Sequence, residues 1–458
     1  MKTHEKGYLH AVALTVSVIL LLLLALSWLP PIHVGEWQMR RVDLLADLRP
    51  DSVEAESLVS APMSTQSTRA RVDTCRAGLT CINEFSDAEE RGMSPLYRAL
   101  DSVATLGRPV RIAVLGDSYI EGDILTGHLR ELLQQRYGGC GVGFLPITSN
   151  TAGFRISVRQ TFSNWESHNA NDTHGYENQW ANLTGHYFRA HAGDWVRVNG
   201  VSSHYAHLDT CQRSTLYYMG SGAATVTATV NGGGRRQFDI YANGSVGSVS
   251  VDGAIGSVSW RVERADAGVR FLGVAMDGDK GVAVDNFSLR SASGIHLSGI
   301  RDEVLAGFDR ERHYDLVVIM YGLNVAGRRS SDYTSYRGQM TRAIEHMKSN
   351  MPQTGFLVVS VGDREEKRGG QMRTMRGVLS LVNAQQTIAY DSRVAFWNLY
   401  TAMGGEGSIV KMVNAKPPQA NLDYTHINFR GGKHLAGLLF DAIAWGHEQH
   451  NRQSASYP

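Results

Sequence analysis

Arg111-Ile-Ala-Val-Leu-Gly-Asp-Ser-Tyr-Ile-Glu-Gly-Asp123 is a short apolar run that stops abruptly at Gly116-Asp117-Ser118. A buried parallel strand reads as a continuous apolar run closed by a turn residue, and Arg111 to Leu115 fits that description. Ser118 then falls on the loop at the strand's carboxyl end, the edge where open α/β sheets build their sites. A helical pattern follows (Ile124, Leu125, Leu129, Leu132, Leu133). Ser118 is therefore either a nucleophile or a helix cap, and the stretch alone does not decide between them.

Two later stretches do. Tyr314-Asp-Leu-Val-Val-Ile-Met-Tyr-Gly-Leu-Asn324 is a second buried run, ending in Gly322-Leu323-Asn324. Asn421-Leu-Asp-Tyr-Thr-His-Ile-Asn-Phe-Arg-Gly-Gly432 carries Asp423 three residues before His426. A serine, an asparagine and an Asp-x-x-His at successive loops supply a nucleophile, an oxyanion donor, a base and its orienter. Together these motifs resemble the SGNH hydrolases, the GDSL-like lipase/acylhydrolase superfamily, over about residues 95–147 and 281–446. The stretch is not a G-x-S-x-G elbow, because Ile120 stands where the second glycine belongs.

The resemblance implies an α/β fold with a doubly wound parallel sheet, flavodoxin-like in its three layers. It implies a catalytic triad of Ser118, Asp423 and His426. It also implies an oxyanion hole made by the backbone NH of Ser118, a backbone NH after the second strand, and the side chain of Asn324. The family has glycine at the second of these. Here Ser291 directly follows the strand and Gly294 stands three residues on; Ser291 is favoured, since a backbone donor survives a change of side chain. No cofactor and no metal is expected.

The chain has 458 residues, 43% hydrophobic and 19% charged, with net charge +1, enough for a full core and no signal for nucleic acid. Residues 11–29 lack charge and centre on Val18-Ile-Leu-Leu-Leu-Leu-Leu24, with Lys2 and Lys6 ahead. At ~1.5 Å per residue such a run can cross ~30 Å of hydrocarbon, so a transmembrane helix within residues 1–30 is expected, cytoplasmic at its tip. A cleaved signal peptide is the competing reading, with a poor cleavage site at Ala25-Leu-Ser27. The rest of the chain is then expected outside the inner membrane, as in the periplasm. Residues 31–90 read as a linker. Of three possible cysteine pairings, Cys75–Cys81 is preferred.

Residues 91–147 open the α/β pattern and 281–458 resume it, with helices expected around Tyr333–Met351, Met372–Asp391 and Phe429–Gly446. Between them, residues 148–280 alternate in short runs such as Trp195-Val-Arg-Val-Asn199 and Ala224-Thr-Val-Thr-Ala-Thr-Val230, separated by Gly-rich turns. This predicts an inserted antiparallel β-sandwich. Its aromatics (Trp165, Tyr176, Trp180, Tyr187, Phe188, Trp195, Tyr205, Tyr217, Tyr218) suit a core first and sugar stacking second. His186, His191, His204 and His207 lack partners at ligand spacing and read as surface-loop residues.

The insert, the anchor and Met403-Gly-Gly-Glu-Gly-Ser-Ile409 resemble the bacterial peptidoglycan O-acetylesterases, which carry a carbohydrate-binding-like sandwich. Tyr119, where histidine is common, and Val325, where glutamate often stands, depart from that group. The function expected is a membrane-anchored serine esterase removing O-acetyl groups from a cell-envelope glycan, most of all peptidoglycan. Its partners would be that acetylated polysaccharide and the membrane, with no nucleic acid. An O-acetyltransferase using the same triad, or a non-catalytic glycan-binding protein, is the alternative. Removing residues 148–280 is expected to leave the α/β part active on small esters.

Overall fold

The structure is a computed structural model that describes residues 75–86, 91–172, 174–327 and 332–455, with Val18 and the pairs 33–34 and 37–38. The expected membrane span at 11–29 and most of the 31–90 linker lie outside the described residues, among which no helix is long and apolar enough to cross a membrane. Ahead of Thr68, His33–Val34 pairs antiparallel with Trp37–Gln38.

From Cys75 onward a six-stranded sheet forms the centre, in the order Val282–Ser288, Val110–Gly116, Leu316–Met320, Gly355–Val359, Ala395–Trp397 and Asn83–Glu84. The first five are parallel. Numbered along the chain, these five run 2-1-3-4-5, so the order reverses beside Val110–Gly116 and opens a crevice at the carboxyl ends of the strands. Ile112 to Leu115 are buried, as a central strand covered on both faces requires. The sixth strand corrects the linker reading: Asn83–Glu84 pairs antiparallel with Ala395–Phe396 and closes the sheet edge. The Cys75–Cys81 disulfide formed just upstream matches the preferred pairing, and Cys140 and Cys211 are free thiols.

The helix expected from Met372 begins at Gly377 instead; Gln371–Thr374 pairs with Glu365–Arg368 in a hairpin of charged and polar residues. The last helix, Phe429–Ala455, runs past Gly446.

The β-rich region is antiparallel throughout and is threaded by one strand, Cys211–Val230. Its first half pairs with Gly247–Ile255 and Val269–Asp277, its second with Arg235–Asn243 and Ser257–Ala265. The change of partners falls at Gly220-Ser-Gly222, whose glycines have φ of 99° and 107°, values that side-chain-bearing residues avoid. The antiparallel pairing starts before residue 148, because Gly143–Leu145 pairs with Val274–Met276. Val269–Asp277 is buried along its whole length. Phe271, Val274 and Met276 join the core of the insert, while Leu272 and Ala275 join the core of the α/β sheet. Trp165, Tyr187, Phe188, Tyr205 and Tyr217 are buried, in keeping with the core role.

The two cores are joined by charge as well. Arg312, fully enclosed, donates to Asp285 at 2.6 and 2.7 Å, to Asp277 at 2.9 and 3.1 Å and to the Tyr217 hydroxyl at 2.8 Å. Asp277 ends the insert, Tyr217 lies on its long strand, and Asp285 lies on the second parallel strand. A group this dry is tolerable only when every partner is in place. The insert is thus integral to the α/β fold, and removing residues 148–280 would strip Arg312 of Asp277 and Tyr217.

Candidate active site

Three of the expected site residues stand at carboxyl-end loops of the sheet, while Asp423 and His426 stand on the loop between the helices Ser408–Asn414 and Phe429–Ala455. Ser118 follows Val110–Gly116, Ser291 follows Val282–Ser288, and Asn324 follows Leu316–Met320. Gly116 is required by proximity: a Cβ there would lie 2.7 Å from the Met320 carbonyl of the neighbouring strand. Ser118 caps no helix. The next α-helix begins only at Thr126, and the Ser118 hydroxyl turns instead to His426 Nε2 at 3.0 Å. His426 Nδ1 meets Asp423 Oδ2 at 2.7 Å, and Asp423 Oδ1 accepts the backbone NH groups of Thr425 and His426 at 3.0 Å each.

Burial alone would raise the Asp423 carboxyl, but the His426 backbone NH and imidazole and the Thr425 NH outweigh it and hold the group below the usual carboxylate range. An ionised Asp423 fixes a proton on Nδ1 and leaves Nε2 free to accept from Ser118.

The loop carrying this pair is tied to Ser118 through the start of the last helix. Asn428 Oδ1 caps that helix, accepting from Arg430 and Gly431 NH at 3.0 and 3.2 Å, so neither Asp423 nor Thr425 serves as its cap. A Cβ on Gly432 would collide with the Ile124 carbonyl and one on Gly431 with the Gln419 carbonyl. Gly432 thus lets the helix seat directly on the segment after Ser118, and Gly431 lets it seat on the loop that leads to Asp423.

Asn324 is exposed, and its Nδ2 donates to the Ala292 carbonyl at 3.0 Å, which links the third loop to the second. One amide hydrogen is spent there and the other remains for a ligand. Ser291 has φ 64°, the left-handed region where glycine is at ease. Gly294 also has positive φ, but it packs under Tyr321 and Met340 at the start of a 3-10 turn.

Asp117 is the residue whose part the sequence did not disclose, although it stands inside the quoted motif. It is buried and accepts the backbone NH groups of Gly322 and Leu323 at 3.2 Å and of Tyr119 at 3.1 Å. Burial pushes its carboxyl up to about 6, against the pull of those NH groups. Asp117 therefore fixes the turn that presents Asn324. Gly322, with φ 151°, is required there, because a Cβ would come 2.6 Å from Val361 Cβ. Tyr119 is buried beneath the site, where burial drives its hydroxyl above the usual range.

Among the described residues no cluster of His, Cys, Asp or Glu is placed to hold a metal. His186 departs from the surface-loop reading: it lies on the strand His186–Arg189 with Nδ1 2.8 Å from Thr184 Oγ1, and burial lowers it to about 4. His191 and His204 are exposed.

No protein-family model matches the sequence, and no curated protein matches it. Among solved structures, a peptidoglycan O-acetylesterase is similar at TM-score 0.66 and 21% identity, covering 80% of this chain and 99% of its own. A family two carbohydrate esterase from Clostridium thermocellum in complex with cellohexaose aligns at TM-score 0.27 and 13% identity, over 62% of this chain and 99% of its own. A Corynascus thermopiles family 2 carbohydrate esterase with a carbohydrate binding domain aligns at TM-score 0.28 and 13% identity, over 61% and 98%. The last two superpose too loosely to bear on the fold. The first covers more of this chain than the α/β part alone supplies, and at the level of the fold it bears out the expected α/β sheet with an inserted β-domain.

Proposed function

We propose that this chain is a serine esterase that removes O-acetyl groups from a cell-envelope polysaccharide, with peptidoglycan as the first candidate. We place it on the outer side of the inner membrane, held by residues 11–29. The observation that carries the reading is the unbroken chain from Ser118 Oγ to His426 Nε2 at 3.0 Å and from Nδ1 to Asp423 at 2.7 Å, set at the crevice of the sheet. In it, Ser118 Oγ attacks the acetyl carbonyl while His426 Nε2 takes its proton. The imidazolium so formed is stabilised by Asp423 and then gives the proton to the departing sugar oxygen. The oxyanion is received by the backbone NH of Ser118, the backbone NH of Ser291 and Asn324 Nδ2. Water, activated by the same imidazole, releases acetate from the acetyl-serine. The fold likeness to a peptidoglycan O-acetylesterase supports the choice of glycan acetyl ester.

The purified protein is expected to release acetate from an aryl acetate and from acetylated peptidoglycan. Loss of both activities in a folded protein with Ser118 intact would refute the esterase reading. Release from the aryl ester alone would refute the glycan assignment.

A further inference from the structure

Beside the oxyanion side of Ser118, a cleft of about 560 Å³ opens between the end of the second parallel strand and the insert. Ser291 forms part of its wall, as does Glu121, three residues beyond Ser118. Most of the lining residues are polar, Asn169, Asn171, Asp172 and Arg290 among them, the side-chain chemistry that hydroxyl-rich ligands require.

One wall residue is out of balance. Arg155 is 7% exposed and donates no hydrogen bond among the described residues; its Nε and Nη1 are closed off from solvent without a hydrogen-bond partner, which leaves Nη2 as the nitrogen open to a ligand in the cleft. The carboxylate nearest to it is Asp123, with Oδ2 3.8 Å from Nε. Asp123 is already saturated, accepting from Thr126 Oγ1, Ser157 Oγ, Asn286 Nδ2 and both terminal nitrogens of Arg130. Two guanidinium groups therefore share one carboxylate. Glu121 offers no relief, since it is bound to Arg290 Nε at 2.8 Å, and Asp172 accepts from the Asn169 backbone and side chain. Enclosing a guanidinium without an acceptor is costly unless a ligand supplies one. An anionic acceptor answers the guanidinium charge best, and among the groups a glycan carries that is a carboxylate.

We infer that this cleft is a glycan subsite in which Arg155 receives a carboxylate carried by the sugar unit, or its substituent, next to the acetylated position. The inference rests on the esterase reading above and deepens it. The enzyme would thus select acidic glycans and hold the polymer across Ser118, with the insert supplying one wall.

The test uses the full-length protein, O-acetylated carboxylate-bearing glycan fragments, and the same fragments with their carboxyls converted to methyl amides. Wild-type KM should be about tenfold lower for the acidic fragments, the worth of one hydrogen bond to a charged group. Arg155→Met should abolish that preference, and Arg155→Lys should keep part of it. Equal KM values for the two fragment sets in the wild type would overturn the inference, as would a preference that survives in Arg155→Met. The wild-type comparison decides the matter even if the methionine variant fails to fold. An aryl acetate run in parallel separates the two claims: no hydrolysis of it by the wild type would defeat the esterase reading, whereas hydrolysis together with indifference to amidation would defeat only the subsite.

Discussion

Asp423 and His426 meet at 2.7 Å with 48% and 40% of their side chains exposed, whereas Arg312, fully enclosed, holds Asp277 and Asp285 at 2.9 and 2.6 Å with no more than 2% of either exposed. The first pair can exchange protons with substrate and water, and its loss leaves no charge stranded in the interior. The second cannot titrate without leaving an uncompensated charge between two cores. The same chemistry thus suits catalysis where it is wet and cohesion where it is dry.

The contrast is broken most severely by removing catalysis without touching cohesion. Ser118→Ala and His426→Ala should each lower kcat by about 10⁴-fold or more, and the double variant should be hardly worse, because nucleophile and base act as one unit. Their thermal melting should stay close to wild type, as calorimetry would check. Arg312→Met should do the reverse. It strands two buried carboxylates, and a loss of about 3–5 kcal/mol in denaturant unfolding is expected, with activity falling only as the folded fraction falls. Asn324→Ala should cost about 10²–10³ in kcat with little change in KM, as befits a donor used mainly in the transition state.

Acid sharpens the comparison. Burial alone would raise Asp277, but Arg312 and Arg111 outweigh it and lower its folded pKa. A lowered folded pKa means that its stabilisation is present above the unfolded carboxylate value and is lost as pH falls through the folded one. Below pH ~4 the wild type should therefore lose stability in part through this cluster, and Arg312→Met should show a flatter acid limb in melts taken across that range. The smallest effect is expected at Ser291. Ser291→Gly relieves a left-handed residue and should leave kcat unchanged while adding at most about 1 kcal/mol of stability, since only its backbone is assigned a role. A large loss of kcat there would transfer the second oxyanion donor elsewhere.

What the sequence discloses follows the same division. The parallel strands are legible because a central strand must be apolar on both faces and a glycine must stop it, as at Gly116 and Gly322. Asp423 and His426 are legible because they act over three residues. Val269–Asp277 is harder to read: two cores bury its two faces, so the alternation that marks a half-exposed strand is absent. The hairpin Glu365–Thr374 is missed because its charged residues carry no apolar period. Arg312 and Asp117 look like ordinary charged residues in sequence, and their roles depend on partners brought close only by the fold: Asp277 and Asp285 for the first, the Gly322 turn for the second.

The central claim is that Ser118 is an activated nucleophile. Intact-mass spectrometry of the protein after treatment with a fluorophosphonate probes that most directly. One adduct per chain, mapped to Ser118 by peptide sequencing and strongly reduced in His426→Ala, is the predicted result. An unmodified wild-type protein with its fold verified, or an adduct on another residue, would contradict the account.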